Sequence, residues 1–110
     1  MAKGTKQRVI RSSGNVFADM GLPDADELGT KARLGAAINR IIARKRLSQA
    51  EVANLLRINQ PKVSALQHYK LEGFSVERLM HFLVALGQDV EIFVKSGPRS
   101  RPARIAVKAA

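Results

Sequence analysis

The stretch LSQAEVANLLRINQPKVSALQ, Leu47 to Gln67, constrains the fold more than any other part of this chain. It holds two short apolar-periodic runs separated by the three-residue break Arg57-Ile58-Asn59. Ser48 is followed three residues later by Glu51, the pattern of a capping box, so one helix starts here and buries Val52, Ala53 and Leu56. Ala53 is small enough to let a second helix cross closely. Pro61 has no N–H to donate and is tolerated only in the first turn of a helix. The second helix therefore starts at about Gln60, with Asn59 as its N-cap and Val63 and Leu66 inward. Ile58 points into the core from the break.

The flanking patterns supply that core. Asp24 and Asp26 are good N-caps for a helix running roughly from Glu27 to Arg46. Leu34, Ala37, Ile38, Ile41 and Ile42 form one stripe along it, and Arg44, Lys45 and Arg46 sit favourably against its C-terminal dipole. Downstream, Ser75 caps a further helix that buries Val76, Leu79, Met80, Leu83, Val84 and Leu86 and stops at Gly87. Asp89 to Lys95, DVEIFVK, alternates strictly, with Val90, Ile92 and Val94 on one face and Asp89, Glu91, Phe93 and Lys95 on the other, the pattern of a strand. Residues 12–26 are rich in turn residues, with Val16, Phe17, Met20 and Leu22 as anchors. The expected organisation is a disordered basic arm over 1–11, a domain over 12–95, and a flexible basic tail over 96–110. The expected class is mainly α, a bundle of four to five helices with one C-terminal strand.

Charge narrows the function. The chain has 110 residues and a net charge of +10, from 19 Lys and Arg against 9 Asp and Glu. Such an excess attracts a polyanion. Residues 1–11 and 96–110 each carry four basic residues and no acidic one. Between Arg40 and Lys70 seven basic residues are opposed only by Glu51, so the basic side of the domain coincides with the two short helices. There is no cysteine, hence no disulfide and no thiolate metal site. No apolar run suffices to span a bilayer, and no apolar core follows the basic N-terminus as a secretory signal requires. His68 and His81 lie thirteen residues apart without ligand-spaced partners, and Ser48 and Ser75 are caps rather than nucleophiles. Glu72 and Glu77 make no acid–base pair, and no glycine-rich phosphate loop occurs. The expectation is a non-enzymatic protein without cofactor or metal.

Two short helices joined by a tight turn, the second starting sharply, make a helix-turn-helix. In this motif the second helix presents its N-terminal residues to the DNA major groove, where polar groups reach base edges. Gln60, Lys62, Ser64 and Ala65 are expected to face outward, away from Val63 and Leu66. Gln49, at the start of the preceding helix, is placed to grip a phosphate.

Leu47 to Leu66 resembles the helix-turn-helix of the Xre/Cro/434-repressor-like family, whose pattern is roughly LSQAELAKLLGVSQSTVSRIE. The match runs through LSQAE, Ala53, Leu55, Leu56, Ile58, Gln60, Val63 and Ser64. SSGNVFADMGLPDADEL, QPKVSAL and GFSVERLMHFLVALGQDVEIFVK are similar to a subgroup of small bacterial regulators, many of them HigA-like antitoxins encoded beside a RelE-like toxin. The resemblance covers residues 12–95 and implies a lambda-repressor-like bundle in a cytoplasmic, nucleoid-associated bacterial protein. It implies base readout by Gln60, Pro61 and Ser64 or Ala65, with phosphate contacts at Gln49, Asn59 and Lys62. Two departures stand out. Arg57 occupies the turn position where the family has glycine; a residue other than glycine costs roughly 1 kcal/mol there, which a phosphate contact by Arg57 would offset. QHYKLEG follows the second helix in place of the usual charged residue and glycine, which brings in Tyr69 and Lys70 as backbone contacts.

One strand cannot satisfy its own backbone, and the chain offers no convincing second strand. Antiparallel pairing of Asp89–Lys95, with Val90, Ile92, Phe93 and Val94, across a two-fold axis is the economical solution; the alternatives are pairing with residues 7–12 or with the edge of a toxin. The resulting homodimer would carry two recognition helices, suited to a palindrome at a spacing of about 34 Å. Three functional readings follow. The first is a dimeric transcriptional regulator, a repressor, on double-stranded DNA. The second is an antitoxin that also masks a RelE- or HigB-like ribonuclease toxin, using residues 12–30. The third is nonspecific nucleic-acid binding through the basic tails, which would be steeply salt-dependent.

Overall fold

The computed structural model describes residues 25–109, with side chains from Glu27 onward. Four helices follow one another: α1 (Ala25–Lys45), α2 (Gln49–Leu56), α3 (Gln60–Gln67) and α4 (Val76–Ala85). The starts of α2, α3 and α4 fall where the caps predict, whereas α1 starts at Ala25, two residues before the expected Glu27, so that Asp26 lies within the helix and Asp24 outside the described residues. Ser48 and Glu51 close a reciprocal capping box, Asn59 Oδ1 accepts from the Lys62 N–H at 2.9 Å, and Ser75 Oγ accepts from the Arg78 N–H at 3.0 Å.

All four helices stop by the same device. One residue after α1 and α2, and two after α3 and α4, the backbone turns left-handed with positive φ: Arg46 (55°), Arg57 (59°), Tyr69 (61°) and Gly87 (86°). The next N–H then reaches back five residues, from Leu47 to Ile42, Ile58 to Ala53, Lys70 to Ala65 and Gln88 to Leu83. These bonds satisfy carbonyls that a helix end leaves open. Glycine suits the left-handed position because it has no Cβ, yet only one of the four is glycine.

The core lies where the helices converge. Ile38, Val52, Val63, Leu66 and Leu79 are fully buried, so each helix contributes at least one such side chain. Leu34, Ala37, Ile41 and Ile42 form the expected stripe of α1, and Ile58 turns inward from the break. On α4 the buried set is Leu79, Phe82 and Leu83, continued by Leu86, whereas Val84 is 55% exposed. The expected inward Val84 is thus replaced by Phe82, whose ring meets Phe74 edge-to-face at 5.7 Å. The phase explains it: 79, 82, 83 and 86 share one side of a helix, and 84 stands about 100° beyond 83. Leu71 and Phe74, from the connection between α3 and α4, complete the core.

Lys45 ties two helix ends together, its Nζ donating to the Leu86 carbonyl at 3.1 Å. Midway along α1, Gly35 leaves room for the connection; a Cβ there would stand 3.3 Å from Leu71 Cδ1 and 3.6 Å from the Tyr69 ring.

Asp89–Lys95, expected as a strand, forms no ladder among the described residues. The physical reason is the one that made the strand conspicuous: a ladder needs a second extended segment in register, and the described residues do not supply it. Val90 packs against the core while Ile92, Phe93 and Val94 are exposed. The chain then turns near Arg99–Arg101, brings Ala103 against Gly97, and returns Val107 to the core. Among the described residues no helix is long and apolar enough to cross a membrane. The apolar anchors Val16, Phe17, Met20 and Leu22 and the basic arm lie outside the described residues.

Candidate nucleic-acid interface

An eight-residue helix is marginal on its own, so the placement of α3 depends on how it is held. Val63 and Leu66 are fully buried on its inner side. Asn59 caps its start, leaving the amide Nδ2 free to donate outward. At its end three side chains converge. Asn39 Nδ2 of α1 donates to the Leu66 carbonyl at 3.2 Å, His68 Nδ1 donates to the Ser64 carbonyl at 2.8 Å, and Gln67 Oε1 accepts from Gln49 Nε2 at 3.0 Å. A carbonyl can only accept, which puts the proton of the His68 contact on Nδ1. Asn39 and Gln67 were not singled out by the sequence pattern, and His68 was weighed only as a metal ligand. Gln49 was, and in the free protein its amide clamps the first residue of α2 to the last of α3.

The outer side of α3 is polar at its beginning. Gln60, Pro61 and Lys62 are exposed, as are Asn59 and Arg57 just before them. Ser64 is half-buried, with its Oγ 3.4 Å from His68 Nδ1. Ala65 does not face outward as expected; it stands about 100° around the helix from Leu66, on the flank of the inner side, and its half-buried side chain packs against the core. Tyr69 is half-exposed, its ring lying over Gly35, and Lys70 is exposed.

No acidic residue occurs between Val52 and Leu71, whereas Arg57, Lys62 and Lys70 all do, and all three are exposed. The face carrying the start of α3 is therefore positive. Lys62 Nζ stands 5.8 Å from the centroid of Phe74. At an exposed site such a contact is worth about 0.5–1 kcal/mol. That is weaker than a charge-assisted hydrogen bond to an anion, so Phe74 can hold the ammonium without preventing its transfer to a phosphate. Across the Phe74–Phe82 pair, Arg78 sits 5.6 Å from the Phe82 ring.

A helix-turn-helix domain family matches residues 16–95. A solved structure named as an XRE-family transcriptional regulator is 65% identical over 80% of this chain and 100% of its own, with a TM-score of 0.76. The chain belongs to the XRE family of helix-turn-helix proteins. No curated protein matches it. In family terms α2 and α3 are the helix pair of the motif, and α1 and α4 are the scaffold that buries their inner sides. The family assignment covers the domain and not the finer HigA-like subgroup.

Proposed function

We propose that this protein is a sequence-specific, double-stranded-DNA-binding transcriptional regulator that acts as a homodimer on a palindromic operator, as a repressor. The observation carrying this reading is the two-sidedness of α3. Val63 and Leu66 are fully buried, while Gln60, Pro61 and Lys62 stand exposed in an acid-free, basic surround. A helix held this way can enter a major groove without disturbing the core.

In the proposed mechanism Gln60 reads a base edge, its side-chain amide offering a donor and an acceptor that match adenine. Pro61 makes only an apolar contact, suited to a thymine methyl. Ser64 reaches a base or phosphate from the next turn, and Ala65, packed inward, is left out of the readout. Gln49, Arg57, Asn59, Lys62, Tyr69 and Lys70 set the protein on the backbone through phosphate contacts. Gln49 must release or share its bond to Gln67 to do so. Two α3 helices on a two-fold axis would meet successive major grooves on one face of the DNA, and a dimer bound there would block RNA polymerase. The dimer is assigned to Asp89–Lys95, whose exposed Ile92, Phe93 and Val94 lack a partner within the described residues. The antitoxin alternative draws on residues 12–30, whose apolar anchors lie outside the described residues, and no observation favours it over the first reading.

The test is binding of the purified protein to its own upstream DNA in physiological salt with excess random competitor. Protection of a short palindrome is the expected result. Loss of all binding to the competitor would overturn the reading in favour of charge-driven, sequence-blind association, which falls steeply with salt.

A further inference from the structure

No acidic residue occurs between Ile92 and Ala110, whereas Lys95, Arg99, Arg101, Arg104 and Lys108 all do. These cations do not trail away from the domain. Val90 packs on the core where the segment leaves it, and Val107 packs on the core where the segment returns. Between these tethers the chain runs out and back. A Cβ on Gly97 would stand 3.7 Å from Ala103 Cα, so the two legs meet there and close a turn, Pro98-Arg99-Ser100-Arg101-Pro102. Every residue of the turn is exposed. Each proline fixes its own φ and lacks an N–H, which stiffens the turn on both sides. Arg101 donates from one guanidinium nitrogen to the Pro102 carbonyl at 3.0 Å, and its other donors stay available. Among the described residues no carboxylate pairs with Arg99 or Arg101.

The segment departs from the side of the domain that meets DNA in the reading above. Lys45 Nζ bonds the Leu86 carbonyl, so α4 ends beside the end of α1. Gln49, assigned to a phosphate, follows Lys45 by only four residues. The chain from Val90 to Arg99 can extend at most about 30 Å, enough to reach the duplex next to the bound domain. With α3 in the major groove, the neighbouring groove is a minor one. That groove is about 6 Å wide, too narrow for a helix but wide enough for an arginine side chain. A·T-rich sequence narrows it and strengthens its negative potential, which draws arginine in. Guanidinium is more weakly hydrated than ammonium, so it leaves water at lower cost. Besides its two arginines and Ser100, the turn carries no side chain that could hydrogen-bond a base.

We infer that the turn 98–102 inserts Arg99 and Arg101 into an A·T-rich minor groove beside the major groove occupied by α3. This rests on the DNA-binding reading above and adds a second point of readout that the helix pair does not supply. The tethers at Val90 and Val107 lower the cost of ordering the turn on DNA.

Duplexes of equal length built from alternating A·T, alternating I·C and alternating G·C pairs test the groove. Inosine lacks the N2 amino group of guanine, so I·C resembles A·T in the minor groove and G·C in the major groove. Fluorescence anisotropy in physiological salt is expected to show the full-length protein binding A·T and I·C alike, and G·C about tenfold more weakly. Replacing both arginines, Arg99→Ala with Arg101→Ala, should bring all three to the affinity of G·C; both side chains are exposed, so the fold is not at stake. Arg99→Lys with Arg101→Lys keeps the charge and should lose most of the preference, whereas Gln60→Ala should keep it, because α3 reads the other groove. Tighter binding to G·C, or I·C behaving as G·C, would put the contact in the major groove and overturn the inference. Equal binding to all three duplexes would overturn it in favour of sequence-blind charge attraction, and so would a preference that survives loss of both arginines. Operator protection is a separate readout. A protected palindrome without the A·T preference would refute the minor-groove contact alone, and the preference without a protected palindrome would refute the operator reading alone.

Discussion

Arg46 and Arg57 hold left-handed backbone conformations that favour glycine, with φ of 55° and 59°. The strain arises between the Cβ and the following carbonyl, so any residue with a Cβ carries it and glycine does not. Replacing either arginine by glycine removes that strain and adds some freedom to the unfolded chain, for a net gain of about 1 kcal/mol per site. The two positions share no hydrogen-bond partner: Arg46 N–H donates to the Ala43 carbonyl, and Arg57 N–H to that of Ala53. The double variant should therefore gain about 2 kcal/mol by addition. In a domain of this size each substitution should raise Tm by about 4–8 °C. Arg46→Ala and Arg57→Ala are the controls, because alanine keeps the Cβ and removes only the guanidinium; they should leave Tm unchanged. Thermal unfolding by circular dichroism reads both series. Glycine variants no more stable than their alanine partners would refute the strain argument. The same variants separate stability from function at Arg57. If its guanidinium holds a phosphate, Arg57→Gly and Arg57→Ala should lose operator affinity equally, and each should lower the salt slope by about one. A more stable protein that binds DNA less well would show that arginine is kept in a strained position for what it touches.

Three further outcomes follow from named contacts. Gln60→Ala should cost about 1–3 kcal/mol on the native operator and remove discrimination at one base position, measured by competition against single-base operator variants; undiminished discrimination would remove Gln60 from the readout. Lys62→Ala should weaken binding to all sequences alike, shown by parallel loss on specific and random DNA in a salt titration, whereas a loss confined to the operator would make it a base reader. Asn39→Asp removes the donor to the Leu66 carbonyl and turns a second oxygen toward it, at a site where Asn39 Oδ1 is already buried without a partner among the described residues. It should destabilise by about 2–4 kcal/mol in urea unfolding, since a buried donor is lost and a charge is placed next to an acceptor, and a cost below about 1 kcal/mol would refute the importance of that contact.

The helix starts were legible because each is written in local chemistry. Ser48, Asn59 and Ser75 cap, Pro61 allows only a first turn, and the stripe of Leu34 to Ile42 has one period. The outward start of α3 was legible for the same reason: Val63 and Leu66 fix which side is in. What held the far end of α3 was not, because Asn39 lies 27 residues away in sequence from the carbonyl it serves. The alternation of Asp89 to Lys95 was plain, but a ladder belongs to two segments, and alternation in one cannot supply the other.

The connection from α3 to α4 shows how such a contact can still leave a trace. QHYKLEG offers no glycine at the position where the chain turns left-handed, and Tyr69 takes that conformation instead. Its ring comes to lie over Gly35, with Leu71 beside it. A glycine inside a helix costs about 0.5–1 kcal/mol relative to alanine, and Gly35 sits in the middle of a run otherwise composed of good helix formers. That cost is offset only if the missing side chain admits something closer than a side chain would allow. Gly35 is therefore the sequence signal for the close approach of Leu71, whose Cδ1 would stand 3.3 Å from a Cβ there, while the Tyr69 ring at 3.6 Å is at ordinary contact distance. Tyr69 occupies a glycine's backbone position while its ring packs on the side of α1 at Gly35, a contact that offsets part of what its Cβ loses by strain.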